Sequence, residues 1–198
     1  MGKANGEPRV CLDLRRVNEA VLRERFPMPI VDELLARIGK GAVRSRLDIR
    51  EAFLQTELAI ESRVITTFIT SRGLFRFKRL PFGLVSAPEI FQKVMDEILA
   101  GCEGTVCYLD DIYVEGENQK QHDDRLKQVT DALESRGVAL NQDKCEIGVP
   151  EVQFSGHVIS AKGIRPSPSK VEALVSFRRP ESAAEVNSFL GLANYMNK

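Results

Sequence analysis

The sequence predicts an α+β fold, in which a split β-α-β-β-α-β order builds one antiparallel sheet with helices on one face. The first observation is that runs with an apolar period of two alternate along the chain with runs of helical period. The second is a pair of neighbouring acids inside a β-prone run, which is typical of a tight hairpin between two strands. The strands of this order are 43–49, 106–108, 112–114 and 138–140, and the helices are 86–99 and 121–136.

Length and composition limit the class of protein. The chain has 198 residues, 43% of them hydrophobic, so we expect one domain with a real core, or one domain plus a fragment. Its four cysteines form no CxxC pair and have no histidine partners at zinc spacing, which indicates reduced thiols in an intracellular protein. There is no signal peptide and no apolar run long enough to span a bilayer, so no membrane partner is expected.

The formal net charge of zero hides an uneven distribution. Residues 1–79 contain 16 Lys and Arg against 10 Asp and Glu, whereas residues 80–198 contain 12 against 18. A basic first part suits contact with phosphates, and an acidic second part suits metal binding. The alternative is ordinary scatter of charge over a solvated surface.

The N-terminal part predicts three elements before the first central strand. Residues 9–15 alternate as a strand should, and 26–29 read as a rigid extended connector around two prolines. Residues 31–38 predict a short helix that ends at Gly39 and Gly41. Its apolar side chains share one face: Leu34, Leu35 and Ile38.

A hairpin is predicted between the first strand and the first long helix. Residues 64–70 are strongly β-prone, 71–73 form a turn, and 74–78 alternate as the second strand. Phe75 and Phe77 are expected to be mainly core. The other side carries Arg72, Arg76 and Lys78, a basic ribbon that could hold a template strand, or that only solvates this face.

The second half of the chain predicts the remaining elements. The helix at 86–99 has a wide apolar stripe, and Gly137 ends the helix at 121–136. Residues 152–159 predict one further strand. Two capping boxes, Ser169 with Glu172 and Ser182 with Glu185, each predict the start of a helix.

Three acids predict a metal site. Asp110 and Asp111 lie at the tip of the predicted hairpin, where two adjacent carboxylates repel each other and favour a divalent cation between them. Asp is also a common turn residue, so the pair alone fits an ordinary polar turn. Asp48 lies at the end of the first strand, and if it lies beside the hairpin tip the three carboxylates can bind two magnesium ions.

The same residues carry a family resemblance. Residues 108–111, Tyr-Leu-Asp-Asp, resemble the YxDD box of reverse transcriptases, and residues 47–53 resemble the aspartate motif that precedes it. Residues 75–88 resemble the segment between the two motifs. Phe82 within Leu-Pro-Phe-Gly and the ending at 189–195 are typical of gypsy-class LTR retrotransposons. The resemblance extends from about residue 9 to the C-terminus.

This resemblance implies the palm of a right-hand polymerase, with partial fingers and the start of a thumb. The implied boundaries are 1–42 for partial fingers and connector, 43–53 for the first palm strand, 54–85 for a fingers insertion, 86–157 for the palm with the hairpin and primer grip, and 158–198 for a truncated thumb.

It also implies roles for individual residues. Asp48, Asp110 and Asp111 are the catalytic acids and, with the backbone of Ile49, the ligands of two Mg²⁺ ions, for which Mn²⁺ can substitute. The nucleotide site is implied to contain Arg9, Phe53, Phe82, Gly83 and Lys144. The primer–template contacts are implied to be Arg72, Arg76, Lys78, Tyr108, Gly156 and His157. Ser155 departs from the family, which usually has Leu there.

Three of these residues have a simpler interpretation. Arg9 could be a solvated strand residue. Phe53, implied to press on the sugar and to favour deoxynucleotides, could be a core aromatic. His157, implied to touch a primer phosphate, could be a half-buried, hydrogen-bonded residue.

The implied function is an RNA-directed DNA polymerase that uses deoxynucleoside triphosphates and a primed RNA or DNA template. Two alternatives are an impaired or domesticated fragment that binds nucleic acid, and a two-metal nuclease that needs the acids but not Phe53. The implied partners are other Pol segments, RNase H and integrase, in a longer polyprotein. The implied location is intracellular: cytoplasm, virus-like particle or nucleus.

Overall fold

A computed structural model describes residues 11–23, 26–39 and 41–196. Helices and strands are numbered in chain order, and each of the two long helices, α3 and α4, connects two strands of one sheet. The helices are α1 (Arg15–Ala20), α2 (Val31–Arg37), α3 (Ala87–Ile98), α4 (Gln119–Ser135), α5 (Pro168–Val175) and α6 (Ala183–Met196). The strands are β1 (Val43–Asp48), β2 (Phe68–Thr70), β3 (Gly73–Phe75), β4 (Thr105–Tyr108), β5 (Asp111–Gly116), β6 (Glu146–Val149), β7 (Glu151–Phe154), β8 (His157–Ser160) and β9 (Gly163–Pro166).

The central sheet has four antiparallel strands in the order β4-β5-β1-β6. Helix α3 connects β1 to β4 after the hairpin insertion, and α4 connects β5 to β6, so the predicted split β-α-β-β-α-β arrangement is confirmed. The two central strands are β1 and β5, which pair over their whole length.

The fourth strand was predicted in the wrong place. It is β6, whereas residues 138–140 contribute only one isolated bridge, between Ile49 and Leu140. The segment 138–140 follows Gly137, which has a positive φ and ends α4, and it passes the end of β1. There the Arg50 amide donates to the Ala139 carbonyl, and the Asn141 amide donates to the Asp48 carbonyl. Too little of β1 lies beside it to form a ladder.

Alternating side chains of the sheet build two cores. On one face, Leu47, Ile112 and Val114 pack with α3 and α4, chiefly with Phe91, Met95, Val129 and Leu133. On the other face, Tyr113 packs with Leu34 of α2 and with Val152, Phe154 and Ile159 of the β7–β8 pair. The predicted interior faces of α2, α3 and α4 are therefore confirmed, and the second face of the sheet is covered as well.

The segment 152–159, predicted as one strand, is a hairpin. Strands β7 and β8 pair antiparallel and are joined by Ser155 and Gly156, both of which have positive φ, 45° and 76°. Two central residues with positive φ are what a tight two-residue hairpin turn requires, and the Ser-Gly dipeptide is its sequence signal.

The strand predicted at 9–15 is also wrong over residues 11–15, the part that the structure describes. Arg9 lies outside the described residues. Cys11 to Leu14 form no strand, and α1 begins at Arg15. The Asp13 carboxylate accepts hydrogen bonds from both the backbone amide and the guanidinium of Arg15. Such local side-chain bonds favour a turn over an extended strand.

The inserted hairpin is shorter than predicted. Residues 64–66 belong to a 3-10 helix, Ile60–Thr66, and only β2 and β3 pair. Phe75 is 47% exposed, so it is not core as predicted. Its ring packs instead on Phe68, 6.1 Å away between centroids, and Phe77 packs on Phe68 at 5.7 Å. The hairpin therefore has a small aromatic cluster of its own.

The two predicted capping boxes behave differently. Helix α5 begins one residue before Ser169, after Ser167, and has no side-chain cap. At α6 the Ser182 hydroxyl accepts the Glu185 amide, and the Glu185 carboxylate accepts the Glu181 amide, so this helix start is confirmed. Within the described ranges, no helix has the length and apolar character needed to cross a membrane.

Candidate active site

The tip of the β4–β5 hairpin presents the acid pair. Tyr108 and Asp111 are the last paired residues, so Leu109 and Asp110 form the turn. Leu109 has a φ of 53°, an uncommon conformation for a branched side chain, which shows that surrounding contacts hold the turn.

Gln92 of α3 supplies those contacts. Its buried side chain accepts the Leu109 amide at 2.8 Å and donates to the Cys107 carbonyl at 3.1 Å. Sequence reasoning missed this residue because a glutamine inside a helix has no distinctive pattern. The available signal was a polar residue next to Phe91 on the apolar stripe of α3.

Asp48 meets the hairpin across the central strand pair. It lies directly opposite Asp111 in the β1–β5 ladder, and the next amide, of Ile49, donates to the Asp110 carbonyl at 2.8 Å. Asp48 is buried, Asp111 is half-buried and Asp110 is exposed at the tip. The structure thus brings the three predicted acids to one edge of the sheet.

Partial burial and the neighbouring carboxylates disfavour the negative charge of Asp111. Desolvation raises the pKa of Asp111 to about 6, with the charges of Asp110 and Asp48 adding to the increase. Arg46 and Lys144 oppose it. A nearby cation would stabilise the charged form of such an acid, so a raised pKa at this place favours cation binding.

Two basic side chains approach the acids without tight contact. The Lys144 ammonium lies 3.7 Å from Asp48 Oδ2, so this predicted site residue is placed beside the acids. Arg46 Nε lies 3.9 Å from Asp111 Oδ1. Arg46 was missed by sequence reasoning, although the period of two in β1 places it on the same face as Asp48.

The donor set fits magnesium in an open site. In the described part of the chain, no group of three or more His, Cys, Asp or Glu side chains has the geometry to hold a metal ion by itself, so a metal here would need ligands from outside the protein. Magnesium binds through one or two carboxylates and completes its shell with water and substrate phosphates. Asp48 and Asp110, with Asp111 beside them, can provide that share, and substrate would provide the rest.

An aromatic cluster surrounds Phe53. Phe53 lies in a short 3-10 helix, Ala52–Gln55, and its half-buried ring packs 5.3 Å from Phe82 and 5.5 Å from Phe91 between centroids. Gly83 has a φ of 99°, and a Cβ there would lie 2.9 Å from the Leu12 carbonyl oxygen. The structure therefore brings Phe53, Phe82 and Gly83 together.

Gln55 locks this helix to the loop after α4. Its side chain donates to the carbonyls of Arg50 and Ala139 and accepts the Ala139 amide at 2.7 Å. No pattern in the sequence indicates this role. An open groove lined by Arg50, Arg79 and Gly137 lies beside Gln55 and its hydrogen bonds.

The predicted primer-grip residues lie on the β7–β8 hairpin. Gly156 forms its turn, whereas the His157 side chain is buried and its Nδ1 lies 3.1 Å from the Ser155 carbonyl oxygen. His157 therefore matches the hydrogen-bonded interpretation, with its ring away from solvent. Tyr108 is half-buried against the core that contains Phe154.

Of the predicted basic ribbon, Arg72 lies in the turn of the inserted hairpin, and Arg76 and Lys78 follow its second strand. Arg72, Arg76 and Lys78 are all exposed, and none forms an ion pair with another residue of the described segments. Arg9 belongs to the same prediction of phosphate contact and lies outside the described residues.

Comparison with known proteins gives consistent matches. The family model described as "Reverse transcriptase (RNA-dependent DNA polymerase)" matches residues 1–159. The retrovirus-related Pol polyprotein of transposon 297 of Drosophila melanogaster is 37% identical over 192 residues, which are 96% of this chain and 18% of that polyprotein. That of transposon gypsy, from the same organism, is 34% identical over 193 residues, 96% and 19% of the respective chains. The chain thus spans about a fifth of these relatives.

Solved structures agree with the fold. The foamy viral protease–reverse transcriptase dRH in complex with double-stranded DNA superposes with a TM-score of 0.91 at 26% identity, over 98% of this chain and 34% of that one. The same viral enzyme with an RNA/DNA hybrid gives a TM-score of 0.82 at 25% identity, over 92% and 25%.

Proposed function

Because this chain belongs to the reverse transcriptase family, as a domain of the LTR retrotransposon type, we propose that it is the catalytic core of an RNA-directed DNA polymerase. It would add deoxynucleotides to the 3′-hydroxyl of a primer on an RNA or DNA template. One observation carries the proposal: Asp48 and Asp111 face each other across the central strands, with Asp110 at the adjacent hairpin tip.

The three acids would have different roles because they lie at different positions. Asp48 and Asp110 would be the main metal ligands, with the Ile49 backbone beside them, and half-buried Asp111 would act mainly through its charge. Two bound magnesium ions supply activation of the primer hydroxyl and stabilisation of the leaving pyrophosphate, with manganese as a substitute. Lys144, next to Asp48, is placed to offer a proton or a positive charge on the pyrophosphate side.

The aromatic cluster around Phe53 would form part of the site for the incoming deoxynucleoside triphosphate. Phe53 would lie under its sugar, and Phe82 and Gly83 would line the base and template side. The close packing of the Phe53 and Phe82 rings supports a rigid wall, which a two-metal nuclease would not need. Arg9, from the first residues of the chain, would bind the triphosphate with its planar fork of donors.

Primer and template would lie across several elements. The exposed side chains of Arg72, Arg76 and Lys78 would contact template phosphates, and the hairpin turns at Tyr108 and Gly156 would support the primer end. His157 would act indirectly, since its ring is buried and bonded within the β7–β8 turn.

The domain boundaries and the whole-protein context are part of the same proposal. We place partial fingers and connector at 1–42, the palm at 43–53 and 86–157, the fingers insertion at 54–85 and the start of a thumb at 158–198. The chain would work as part of a longer Pol polyprotein with RNase H and integrase segments, inside the cell, in the cytoplasm, the nucleus or a virus-like particle.

Primer extension tests the proposal. Asp48→Asn and Asp110→Asn should each abolish metal-dependent nucleotide addition while the metal-free protein keeps or gains stability, because removing one of several clustered carboxylates relieves repulsion. The matched control is Asp124→Asn, an exposed acid on α4. The assay should use this chain and a longer polyprotein segment in parallel. Full activity in either active-site variant would overturn the assignment.

A further inference from the structure

Arg46 occupies a position that neither the family motifs nor the proposed reaction explains. It lies on β1 opposite Tyr113, two residues before Asp48 and on the same face. This face is covered by the β7–β8 hairpin, so the side chain of Arg46 is only 21% exposed. A guanidinium with so little access to water is costly unless nearby groups compensate it.

Two backbone carbonyls fix the guanidinium in place. Nη1 donates to the Gln153 carbonyl and Nη2 to the Lys144 carbonyl, both at 3.3 Å. Nε is buried, has no hydrogen-bond partner and lies 3.9 Å from Asp111 Oδ1. Arg46 is therefore held close enough to Asp111 for charge attraction and too far for a hydrogen bond.

Lys144 offers a useful contrast. Its ammonium lies 3.7 Å from Asp48, but its side chain is 59% exposed, against 21% for Arg46. Water screens an exposed charge far more effectively than a half-buried one. Arg46 is thus the basic side chain with the stronger effect on the acid edge, and its charge is fixed because arginine does not deprotonate in proteins.

We propose that Arg46 is an internal counter-ion of the catalytic acids, which compensates their charge before a metal binds and lowers their affinity for divalent cations. The inference rests on the proposed function, because it assumes that Asp48 and its neighbours bind metal. The two carbonyls keep the guanidinium from moving onto Asp111, so a metal can enter without displacing it. Metal affinity would then stay weak until substrate phosphates add their own negative charge and ligands.

The proposal predicts that one substitution has two effects of opposite sign, one on the affinity for metal and one on the stability of the metal-free protein. Arg46→Met removes a positive charge beside the metal site, so Mn²⁺ should bind about tenfold more tightly in the absence of nucleic acid and nucleotide. The same change leaves Asp111 without its counter-ion, so the metal-free protein should melt at a lower temperature. Saturating Mn²⁺ should therefore raise the melting temperature of the variant by more than that of the wild type.

Binding of Mn²⁺, measured by electron paramagnetic resonance and calorimetry, tests this directly. Arg46→Lys keeps the charge and should keep wild-type affinity. Arg50→Met is the matched control: it removes an exposed arginine two residues after Asp48 that forms no ion pair within the described residues, and it should change affinity little. If Arg46→Met does not fold, as judged by circular dichroism, Arg46→Gln is the second neutral variant, because its amide can still reach a carbonyl.

The outcomes separate this inference from the proposed function. Binding that Asp48→Asn abolishes, with tighter binding in Arg46→Met or Arg46→Gln only, supports both. Wild-type binding that Asp48→Asn abolishes, with unchanged or weaker binding in the neutral Arg46 variants, overturns the counter-ion role alone. Equal tightening in Arg50→Met also overturns it, because any nearby charge would then suffice. Absence of Mn²⁺ binding that depends on Asp48 overturns this inference and contradicts the metal site of the proposed function.

Discussion

At the scale of single residues, the site combines groups whose types are visible in the sequence with groups whose importance depends on position. Asp48, Asp110 and Asp111 belong to the first kind. Gln92 and Arg46 belong to the second, because a helical glutamine and a strand arginine are ordinary until the structure shows what they touch. Phe53 lies between the two, since its ring is half-buried packing against Phe82 and Phe91 and is also proposed to contact the nucleotide sugar.

The Phe53 ring should exclude ribonucleotides. Phe53→Val would open space where a 2′-hydroxyl projects, so ribonucleotide incorporation should rise relative to deoxynucleotide incorporation, with a lower overall rate. Loss of contacts with Phe82 and Phe91 should also cost about 1–3 kcal/mol of stability. Primer extension with each nucleotide type, on a version long enough to hold primer and template, measures the ratio.

The control for this prediction is Phe75→Val, which changes an exposed phenylalanine of the inserted hairpin. It should leave sugar discrimination as in the wild type. Equal discrimination in Phe53→Val and the wild type would show that Phe53 serves only as packing.

At the scale of elements, two hairpins carry the proposed chemistry and are held in different ways. The β4–β5 hairpin belongs to the central sheet and is held to α3 by the hydrogen bonds of Gln92. The β2–β3 hairpin lies at the surface, where Ile69 is 80% and Leu74 is 72% exposed. Tight anchoring suits a site that must position carboxylates, and exposure suits a surface that meets a nucleic acid.

Removing the Gln92 clamp should loosen the acid pair. Gln92→Met keeps the side-chain length but leaves the Leu109 amide without its acceptor, which should cost about 1–3 kcal/mol of unfolding free energy. Nucleotide addition should fall more than nucleic-acid binding, because Asp110 follows Leu109 directly. Chemical denaturation and single-turnover kinetics measure the two effects.

Gln128→Met is the matched control, because this glutamine on α4 makes one exposed hydrogen bond to the Gly101 carbonyl. It should change neither quantity beyond about 0.5 kcal/mol. If Gln92→Met leaves both the stability and the rate at wild-type values, Gln92 does not hold the hairpin.

The basic ribbon of Arg72, Arg76 and Lys78 should set part of the salt dependence of template binding. Replacing Arg72 and Lys78 by Gln removes two phosphate contacts, so a plot of log affinity against log salt should become less steep by about one to two units. The control replaces Lys120 on α4 and Arg136 directly after it, two exposed cations outside the ribbon. An unchanged slope in the ribbon variant would exclude this hairpin as a template surface.

At the scale of the whole molecule, stability and function are unevenly distributed. The hydrophobic clusters of the described residues, one on each face of the central sheet and a third around Leu14, Leu80 and Leu84, are built from residues that precede 160. Helices α5 and α6 follow them and leave apolar side chains exposed, such as Val175 at 81% and Leu190 at 48%. Residues up to 159 thus hold the core, and the C-terminal helices contribute little to it.

A chain that ends at residue 176 should therefore keep the palm fold. Its melting temperature should lie within about 5 °C of the full chain, because no residue of the core clusters is lost. A chain that ends at residue 150 loses Val152, Phe154 and Ile159 and should unfold. Calorimetry compares the three. Cooperative folding only in the full chain would show that α6 belongs to the same folding unit and would contradict a thumb boundary at 158.

The sequence by itself determined the central order of elements and the chemical nature of the site. A period of two in β1, helical stripes in α3 and α4, and acids after a β-prone run are local patterns, and each reflects the burial of one face of one element. The family motifs added the roles of Phe53, Phe82 and Lys144; the structure places Lys144 beside Asp48 and packs Phe53 on Phe82.

Only the tertiary structure decided which local patterns found partners. Residues 11–14 alternate but pair with no strand in the described chain, and residues 138–140 pass the end of β1, so the fourth strand is β6. The exposure of Phe75, the burial of His157, and the contacts of Gln92 and Arg46 follow from what packs against them. Backbone pairing and side-chain burial depend on neighbours distant in the chain, and a local pattern contains no information about them.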